Sequence, residues 1–187
     1  MFVKSLVLAF PVAVIANGVF ALPTQWTIDD GGNGHFYELV LTESTWFEAR
    51  ELTEFMFFNG QNGNLLTITS LEENSFVVDT FGSDLHRTFL GAIQDPSSSD
   101  PAANWTWVTD EDFDFTNWAP GEPNDDQGLK EGVLEFSGPG DSLGQWNDTR
   151  NDAVRLGFVV EYVPAPSASL VLILGGVSLA RRRFRQS

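Results

Sequence analysis

The chain has 187 residues, no cysteine, two histidines and 26 acidic residues against ten basic ones, for a formal net charge of −16. A length of this order accommodates one domain with short processing segments. The missing cysteines exclude disulfides and thiolate metal sites, the two histidines argue against a histidine-rich zinc site, and the negative charge argues against binding nucleic acid, whose phosphates need a basic surface.

The N-terminal segment has the pattern of a secretory signal peptide. Lys4 precedes an apolar run over residues 6–15, and Val19-Phe20-Ala21 forms a small-residue cleavage site. We therefore predict a signal peptide over residues 1–21, cleaved near Ala21, and export of a domain that spans residues 22–163.

The start of this domain predicts a strand, a turn and a second strand. Residues 25–30 indicate an edge strand, and the glycine-rich residues 30–34 indicate a turn. Residues 35–42 carry the aromatic and branched side chains of a strand. His35, at the beginning of that strand, is interpreted as a surface or turn residue.

Two helices are predicted from capping boxes, in which a side chain at each end satisfies the other's free backbone donor. Thr45 and Glu48 begin the first helix, which Asn59-Gly60 is expected to end. Ser70 and Glu73 begin the second. Acidic residues in its first turn suit the helix dipole and need no functional explanation.

The rest of the domain reads as short strands separated by long polar segments. A turn is predicted at residues 62–64 and a loop at residues 94–104, and long loops on a compact domain are often functional. The predicted strands are residues 65–68, 88–93, 105–108, 133–136 and 156–162.

The C-terminal segment, residues 164–187, joins a proline-rich start to an apolar stretch and an arginine cluster. As a helix, the apolar residues 168–180 would reach about 20 Å, short of the roughly 30 Å of a bilayer's hydrocarbon core. The layout resembles the bacterial PEP-CTERM sorting tail, although Ala165 replaces its glutamate. That resemblance implies cleavage by a protease of exosortase type, transient membrane contact and display at the cell surface or in the extracellular matrix. An ordinary C-terminal membrane helix with positive-inside arginines is the alternative.

Removal of both end segments would leave a strongly acidic domain. Lys4 and the four tail arginines are five of the ten basic residues, so the processed domain would carry five basic against 26 acidic residues, a net charge of −21. Such a charge favours cations as ligands, and it also keeps an exported protein soluble.

Two polar motifs, each with a tryptophan, carry the chemistry that the sequence suggests. The first runs from Trp118 to Asn124, and the second is Trp146-Asn147-Asp148. Each presents a carboxylate and an amide, which are oxygen ligands suited to a hard cation such as calcium. The aromatic side chains are expected to anchor the loops in the core while the ligands face outward.

The order of motifs between residues 34 and 162 resembles the C-type lectin-like domain. The motifs that carry this resemblance are Trp46-x-x-Ala49, Leu66-Thr67-Ile68-Thr69-Ser70-x-Glu72-Glu73-Asn74, Phe89-Leu90-Gly91-Ala92, Trp107-Val108, Asn117-Trp118-x-x-Gly121-Glu122-Pro123-Asn124, Trp146-Asn147-Asp148 and Phe158-Val159-Val160-Glu161. The resemblance implies an α+β double-loop fold in which two helices flank small antiparallel sheets, the first and last strands pair, and a long loop is inserted. Val160 stands where the family has a cysteine, so packing must replace the disulfides.

The same resemblance implies a calcium and sugar site. By position, Glu122, Asn124, Asn147 and Asp148 match the residues that bind one calcium ion and the hydroxyls of a sugar, and the bond before Pro123 is expected to be cis. The Glu-Pro-Asn order resembles the mannose-type specificity of the family, which is directed at equatorial 3- and 4-hydroxyls.

One further ligand position is ambiguous in this sequence. The family has a glutamate six residues beyond the asparagine, where this chain has Lys130, and an ammonium group there would repel calcium. A shift of one residue would bring Glu131 into the site instead. Asp125 and Asp126 are near enough in sequence to assist. The predicted metal ligands are accordingly Glu122, Asn124, Glu131, Asn147 and Asp148.

These features predict an exported cell-surface protein that binds a glycan or polysaccharide with the help of calcium. A calcium-independent adhesive or structural protein, which binds protein or matrix through the long loop, is the alternative. A glycosidase with paired acids is a third possibility, but neither a nucleophile motif nor a histidine base stands out, so we predict no enzymatic activity.

Overall fold

A mixed β-sheet forms the framework of the described part of the chain, residues 22–141 and 143–164 of a computed structural model. Its strands are β1 (Thr24–Gln25), β2 (Phe36–Val40), β3 (Phe57–Phe58), β4 (Gln61–Leu65), β5 (Thr88–Gln94), β6 (Trp105–Trp107), β7 (Val133–Phe136), β8 (Trp146–Thr149) and β9 (Gly157–Tyr162). The two helices are α1 (Trp46–Glu54) and α2 (Leu71–Phe81). The strand order β1-β2-β9-β5-β7-β8, with β4 on β9, β3 on β4 and β6 on β5, confirms the α+β class.

Strand β9 is the centre of this sheet. It pairs antiparallel with β2 from Phe36 opposite Tyr162 to Val40 opposite Phe158, which confirms the predicted pairing of the first and last long strands. On its other side it runs parallel to β5. The expectation of purely antiparallel pairing was therefore wrong at this one place. Parallel neighbours need a long connection, and the segment between β5 and β9 supplies it.

Helix α1 begins as predicted and ends earlier. Both hydrogen bonds of the Thr45–Glu48 capping box are present, and the helix ends at Glu54. Asn59 and Gly60 have φ of 48° and 85°, the left-handed geometry that a two-residue hairpin turn requires, and they join β3 to β4. The predicted turn at residues 62–64 consequently lies inside β4, which ends at Leu65 rather than beginning there.

Helix α2 has only half of its predicted capping box. The Ser70 side chain accepts a hydrogen bond from the Glu73 amide. The Glu73 carboxylate instead accepts from the Thr69 amide at 2.8 Å and from the Tyr37 hydroxyl at 2.7 Å. Glu73 lies in the first turn of α2, as predicted, and it is only 2% exposed, so these hydrogen bonds hold it in the protein interior.

The N-terminal segment also differs from its prediction. Only Thr24–Gln25 forms a strand, and a 3-10 helix, Ile28–Asp30, follows where the strand was expected to continue. Gly31 ends this helix with φ of 79°. The short edge strand is sufficient to join the segment to β2.

The core consists of two clusters on the two sides of the sheet. One contains Trp105, Trp107 and Trp146 and supports the long loop, while the other contains Trp46 and Phe158. Within the described ranges, no helix is both long and apolar enough to cross a bilayer. The predicted signal peptide and nearly all of the predicted sorting tail lie outside the described residues.

Candidate functional site

Tryptophans fasten the two polar motifs to the core and to each other. Trp146 is fully buried, and its indole Nε1 donates to Asn74 Oδ1 at 3.1 Å. The half-buried Trp118 meets it edge-on, with ring centroids 6.0 Å apart. Backbone hydrogen bonds on both sides of Trp118, from Ala119 N to Trp146 O and from Trp146 N to Asn117 O, hold the loop against the start of β8. Both tryptophans are the loop anchors that the sequence predicted.

A tight turn then directs the chain toward β8. The Glu122 amide donates to the Ala119 carbonyl at 2.9 Å, and Gly121 has φ of 94°. Proline followed by glycine at the two central positions is typical of a type II turn, in which the second central residue needs a positive φ. The Glu122–Pro123 peptide is cis, as expected.

Asp148 is the residue around which the loop closes. Its side chain lies on β8, is fully buried, and accepts hydrogen bonds from the backbone amides of Asn124 at 3.1 Å and Asp125 at 3.0 Å. The sequence reasoning treated Trp146-Asn147-Asp148 as a loop. Four residue pairs with β7 show that it is a strand, so Asp148 is held by the sheet as well as by the loop.

The carboxyl group of Glu122 lies close enough to that of Asp148 for the two to affect each other's ionisation. Partial burial, then the hydrogen bond to Asp148 and the charges of Asp148, Glu131 and Asp141, raise the pKa of Glu122 to about 7. Within the described part of the chain, Glu122 Oε2 is buried and has no hydrogen-bond partner. A buried acceptor of this kind is costly unless a donor or a cation satisfies it.

Lys130 and Glu131 are directed to different neighbours. The Lys130 ammonium donates to the side-chain oxygen of Gln94 and, at 3.1 Å, to the Ser98 carbonyl. It also lies 3.9 Å from Asp125 Oδ2. The end of β5 and the loop that follows it therefore bind the ammonium group, and the side chain of Glu131 approaches the acidic loop.

Glu131 is part of the acidic group, although it lies at its margin. Its amide donates to Asp125 Oδ1 at 2.8 Å, and its carboxylate accepts from the Asp126 amide at 2.9 Å. Burial raises its pKa, the hydrogen bond from Asp126 lowers it, and the charges of Asp148, Asp126 and Asp125 raise it further. The ligand atoms of Glu131, Glu122 and Asp148 do not all lie within 4.8 Å of one another. Among the described residues, one other group of three potential ligand residues does.

The two amides differ in exposure. The Asn124 side chain is exposed at the rim, whereas Asn147 is half-buried on β8. Asn147 Nδ2 donates to Glu135 Oε1 at 3.2 Å and to the Asp148 carbonyl. These contacts occupy the nitrogen of the amide, so its oxygen is the atom suited to a cation. All five predicted ligands thus lie in one region, in which the Asp148 carboxylate accepts a hydrogen bond from the Asn124 amide.

A buried ion pair between Glu135 and Arg155, which was not predicted from the sequence, lies next to Asn147. Glu135 on β7 is 1% exposed and is bound by the Arg155 guanidinium, which also donates to Thr149 Oγ1 at 2.7 Å. Burial raises the pKa of Glu135, and the hydrogen bond and charge of Arg155 oppose that rise. The signal in the sequence was a charged residue inside the apolar strand Val133–Phe136.

We expect the Arg155→Met substitution to lower the free energy of unfolding by about 3–5 kcal/mol, because it removes the guanidinium that compensates the buried Glu135 carboxylate and leaves it with Asn147 and the more distant, exposed Arg87. Chemical denaturation monitored by tryptophan fluorescence measures this loss. Arg150→Met is the matched control, since Arg150 pairs with Asp152 at an exposed site and its replacement should leave the unfolding midpoint almost unchanged. Equal effects of the two substitutions would contradict a structural role for the buried pair.

The residues present fit a hard cation better than any other ligand class. Glu122, Asp148 and Glu131 offer carboxylate oxygens and Asn124 and Asn147 offer amide oxygens, which is the donor set that calcium prefers. A bound cation would remove the free-energy cost of leaving Glu122 Oε2 buried and, among the described residues, without a hydrogen-bond partner.

Comparison with known proteins shows which family the sequence matches. The family model described as Lectin C-type domain matches residues 42–159. Asialoglycoprotein receptor 2 of Rattus norvegicus is 30% identical over 136 residues, which cover 72% of this chain and 40% of the receptor. C-type lectin domain family 10 member A of Homo sapiens is 35% identical over 106 residues, or 56% of this chain and 29% of that protein. The chain spans less than half of the length of these relatives.

Among solved structures, the cow C-type carbohydrate-recognition domain of CD23, determined in the presence of a GlcNAc2Man3 oligosaccharide, has a similar backbone. It aligns with a TM-score of 0.57 at 24% identity over 71% of this chain and 90% of that domain. The likeness concerns the fold.

Proposed function

Because the chain belongs to the C-type lectin domain family, we propose that residues 22–163 are a carbohydrate-binding domain that depends on calcium. The observation that carries the calcium part is Glu122 Oε2, which is buried and has no hydrogen-bond partner within the described residues, beside the buried carboxylate of Asp148. Family membership and the oligosaccharide named with the CD23 domain support a sugar as the ligand. The proposal is for binding without catalysis.

Each proposed ligand has a distinct role in this binding. Glu122, Asp148 and Glu131 neutralise the ion, while Asn124 and Asn147 coordinate it through their amide oxygens. The bound ion would supply a Lewis acid to which two neighbouring sugar hydroxyls add as further ligands. Remaining carboxylate lone pairs can accept hydrogen bonds from those hydroxyls, and the amide nitrogen of Asn124 can donate to them. Binding of the ion and of the sugar would therefore be linked.

The order Glu122-Pro123-Asn124 supports mannose-type specificity, in which the sugar presents equatorial 3- and 4-hydroxyls. Acidic neighbours of the site favour a neutral sugar, because the net negative charge of the domain would repel anionic glycans. Mannose, glucose, N-acetylglucosamine and the equivalent diol of fucose meet both conditions.

Calcium is expected to stabilise the protein in thermal unfolding. At a free calcium concentration about 100 times Kd, the stabilisation is about 2.7 kcal/mol. For a domain of this size, that raises Tm by roughly 8 °C. A glycan array run with calcium and with excess chelator is the companion measurement. Glycan binding that persists unchanged in chelator would contradict the calcium dependence.

Calcium-independent binding to protein or matrix is the second candidate. The 3.9 Å contact between the Lys130 ammonium and Asp125 favours it, because a side-chain cation already compensates part of the acidic loop. No rise in Tm with calcium, together with no bound glycan on the array, would support this function over the first.

We also propose that the protein is exported and displayed at the cell surface after cleavage near Ala21 and processing in the tail by a protease of exosortase type. The support is the pattern of residues 1–21 and 164–187 in the sequence. The masses of the mature termini test this part of the proposal, and uncleaved ends would contradict it.

A further inference from the structure

A second group of charged side chains lies outside the proposed calcium and sugar site, beneath the N-terminal segment. His35 Nδ1 is 2.6 Å from Glu161 Oε1, and the ligand atoms of His35, Glu161 and Glu73 all lie within 4.8 Å of one another. Glu161 is 1% exposed and Glu73 is 2% exposed. The interpretation of His35 as a surface or turn residue was wrong, because its side chain is only 19% exposed and faces this pair.

The two carboxylates are fixed by other hydrogen bonds. Glu161 Oε2 accepts from the Thr67 amide at 3.1 Å. Glu73 Oε1 accepts from the Tyr37 hydroxyl at 2.7 Å and from Asn33 Nδ2 at 3.0 Å. Neither carboxylate can turn toward solvent without losing these donors, so both remain buried whatever the charge of His35.

The group joins three parts of the chain that are distant in sequence. His35 ends the N-terminal segment, residues 24–35, whereas Glu73 lies in the first turn of α2 and Glu161 lies on β9. The Trp26 amide donates to the His35 carbonyl at 3.0 Å, and its indole stacks on Phe76 of α2 with centroids 5.5 Å apart. The position of His35 therefore determines how the N-terminal segment packs against α2 and β9.

We propose that His35, Glu73 and Glu161 form a proton-controlled clamp that fastens the N-terminal segment to α2 and β9. A protonated imidazole donates to Glu161 and compensates one of the two buried charges. A neutral imidazole leaves two buried carboxylates without a cation, an arrangement that is strongly unfavourable in a protein interior. The clamp is closed at low pH and weakened at high pH.

Charged and titratable groups from several parts of the fold lie around His35. They are Glu161 on β9, Glu73 on α2, Glu111 in the loop after β6, and Tyr37 on β2, which contacts Glu73. Burial lowers the pKa of His35, but the hydrogen bond and charge of Glu161 and the charges of Glu73 and Glu111 raise it above its ordinary value. Burial raises the pKa of Glu161 to about 7 against the opposing effect of His35.

The sign of the pH effect follows from proton binding. Both groups hold protons more tightly in the folded than in the unfolded chain, so the folded state binds more protons near neutral pH. The contribution of His35 to stability is fully present below its unfolded pKa, about 6.5, and is lost as pH rises through the raised folded value. The contribution of Glu161 is lost over a lower range, from the ordinary glutamate pKa of about 4.3 up to about 7.

Proton NMR of the full-length chain tests the clamp directly, because His35 and His86 are its only histidines. We expect the His35 ring protons to titrate above about 6.5, the ordinary histidine value. The Glu161→Gln substitution should shift that titration to lower pH and leave His86 unchanged. Titration of His35 at or below the ordinary value in the unmodified protein would overturn the proposal.

Thermal unfolding gives an independent readout. In excess chelator, we expect Tm to fall by roughly 3–5 °C more between pH 6 and pH 8.5 in the unmodified chain than in the His35→Gln variant. His86→Gln is the control and should keep the larger fall. All three proteins share the same Glu122 site, so its contribution cancels, and the comparison holds whether or not that site binds calcium. An identical pH dependence in His35→Gln, or a fall that appears only when metal is present, would overturn the clamp.

Discussion

Replacing Glu122 by Gln is expected to weaken calcium binding roughly 100-fold and to remove calcium-dependent glycan binding. The substitution keeps the shape of the side chain and one coordinating oxygen, but it removes a full negative charge next to the ion. Isothermal titration with calcium measures the loss in affinity, and the glycan array measures its consequence.

The behaviour of the same variant without calcium separates a ligand from a fold determinant. Glu122 is repelled by Asp148 and Glu131, and its buried Oε2 has no partner among the described residues. In chelator, Glu122→Gln should therefore melt no lower than the unmodified protein. Glu54→Gln is the matched control, because it removes the same charge from an exposed position on α1. Equal losses of calcium affinity in both variants would indicate an effect of net charge alone.

Local signals in the sequence predicted the scaffold of the long loop well. The capping box at Thr45 and the tryptophans of the two polar motifs depend on neighbours a few residues away or on burial of a large aromatic side chain. Such features can be recognised in the sequence because their physical cause is local or follows from side-chain size. The same holds for the cis bond at Pro123, a conformation that is tolerated at proline alone.

Features that depend on distant partners could not be predicted from the sequence. Asn59-Gly60 is compatible with a helix stop and with a hairpin turn, and only the pairing of β3 with β4 decides between them. The polar motif that contains Asp148 resembles a loop until β7 is placed beside it. The burial of Glu135 becomes reasonable once Arg155, which lies twenty positions further along the chain, is in contact with it.

The candidate site combines a rigid side with an adjustable side. Asp148 is fixed by β8 and by two backbone amides, whereas Glu131 is held by a hydrogen bond from within its own loop. In the proposed site, Glu122 and Asp148 would hold a divalent ion together, and Glu131 would have to move to join them.

This arrangement predicts that substitutions at two adjacent residues change the calcium affinity in opposite directions. Glu131→Gln should weaken calcium binding about 10- to 100-fold, because it removes a charge that faces the site. Lys130→Gln should strengthen calcium binding by less than about tenfold, since the ammonium group is directed to Gln94 and Ser98 and does not occupy a ligand position. Calcium titrations of the two variants under identical conditions make the comparison. A gain of about 100-fold in Lys130→Gln, with no loss in Glu131→Gln, would instead place the lysine in the ligand position and would favour the calcium-independent function.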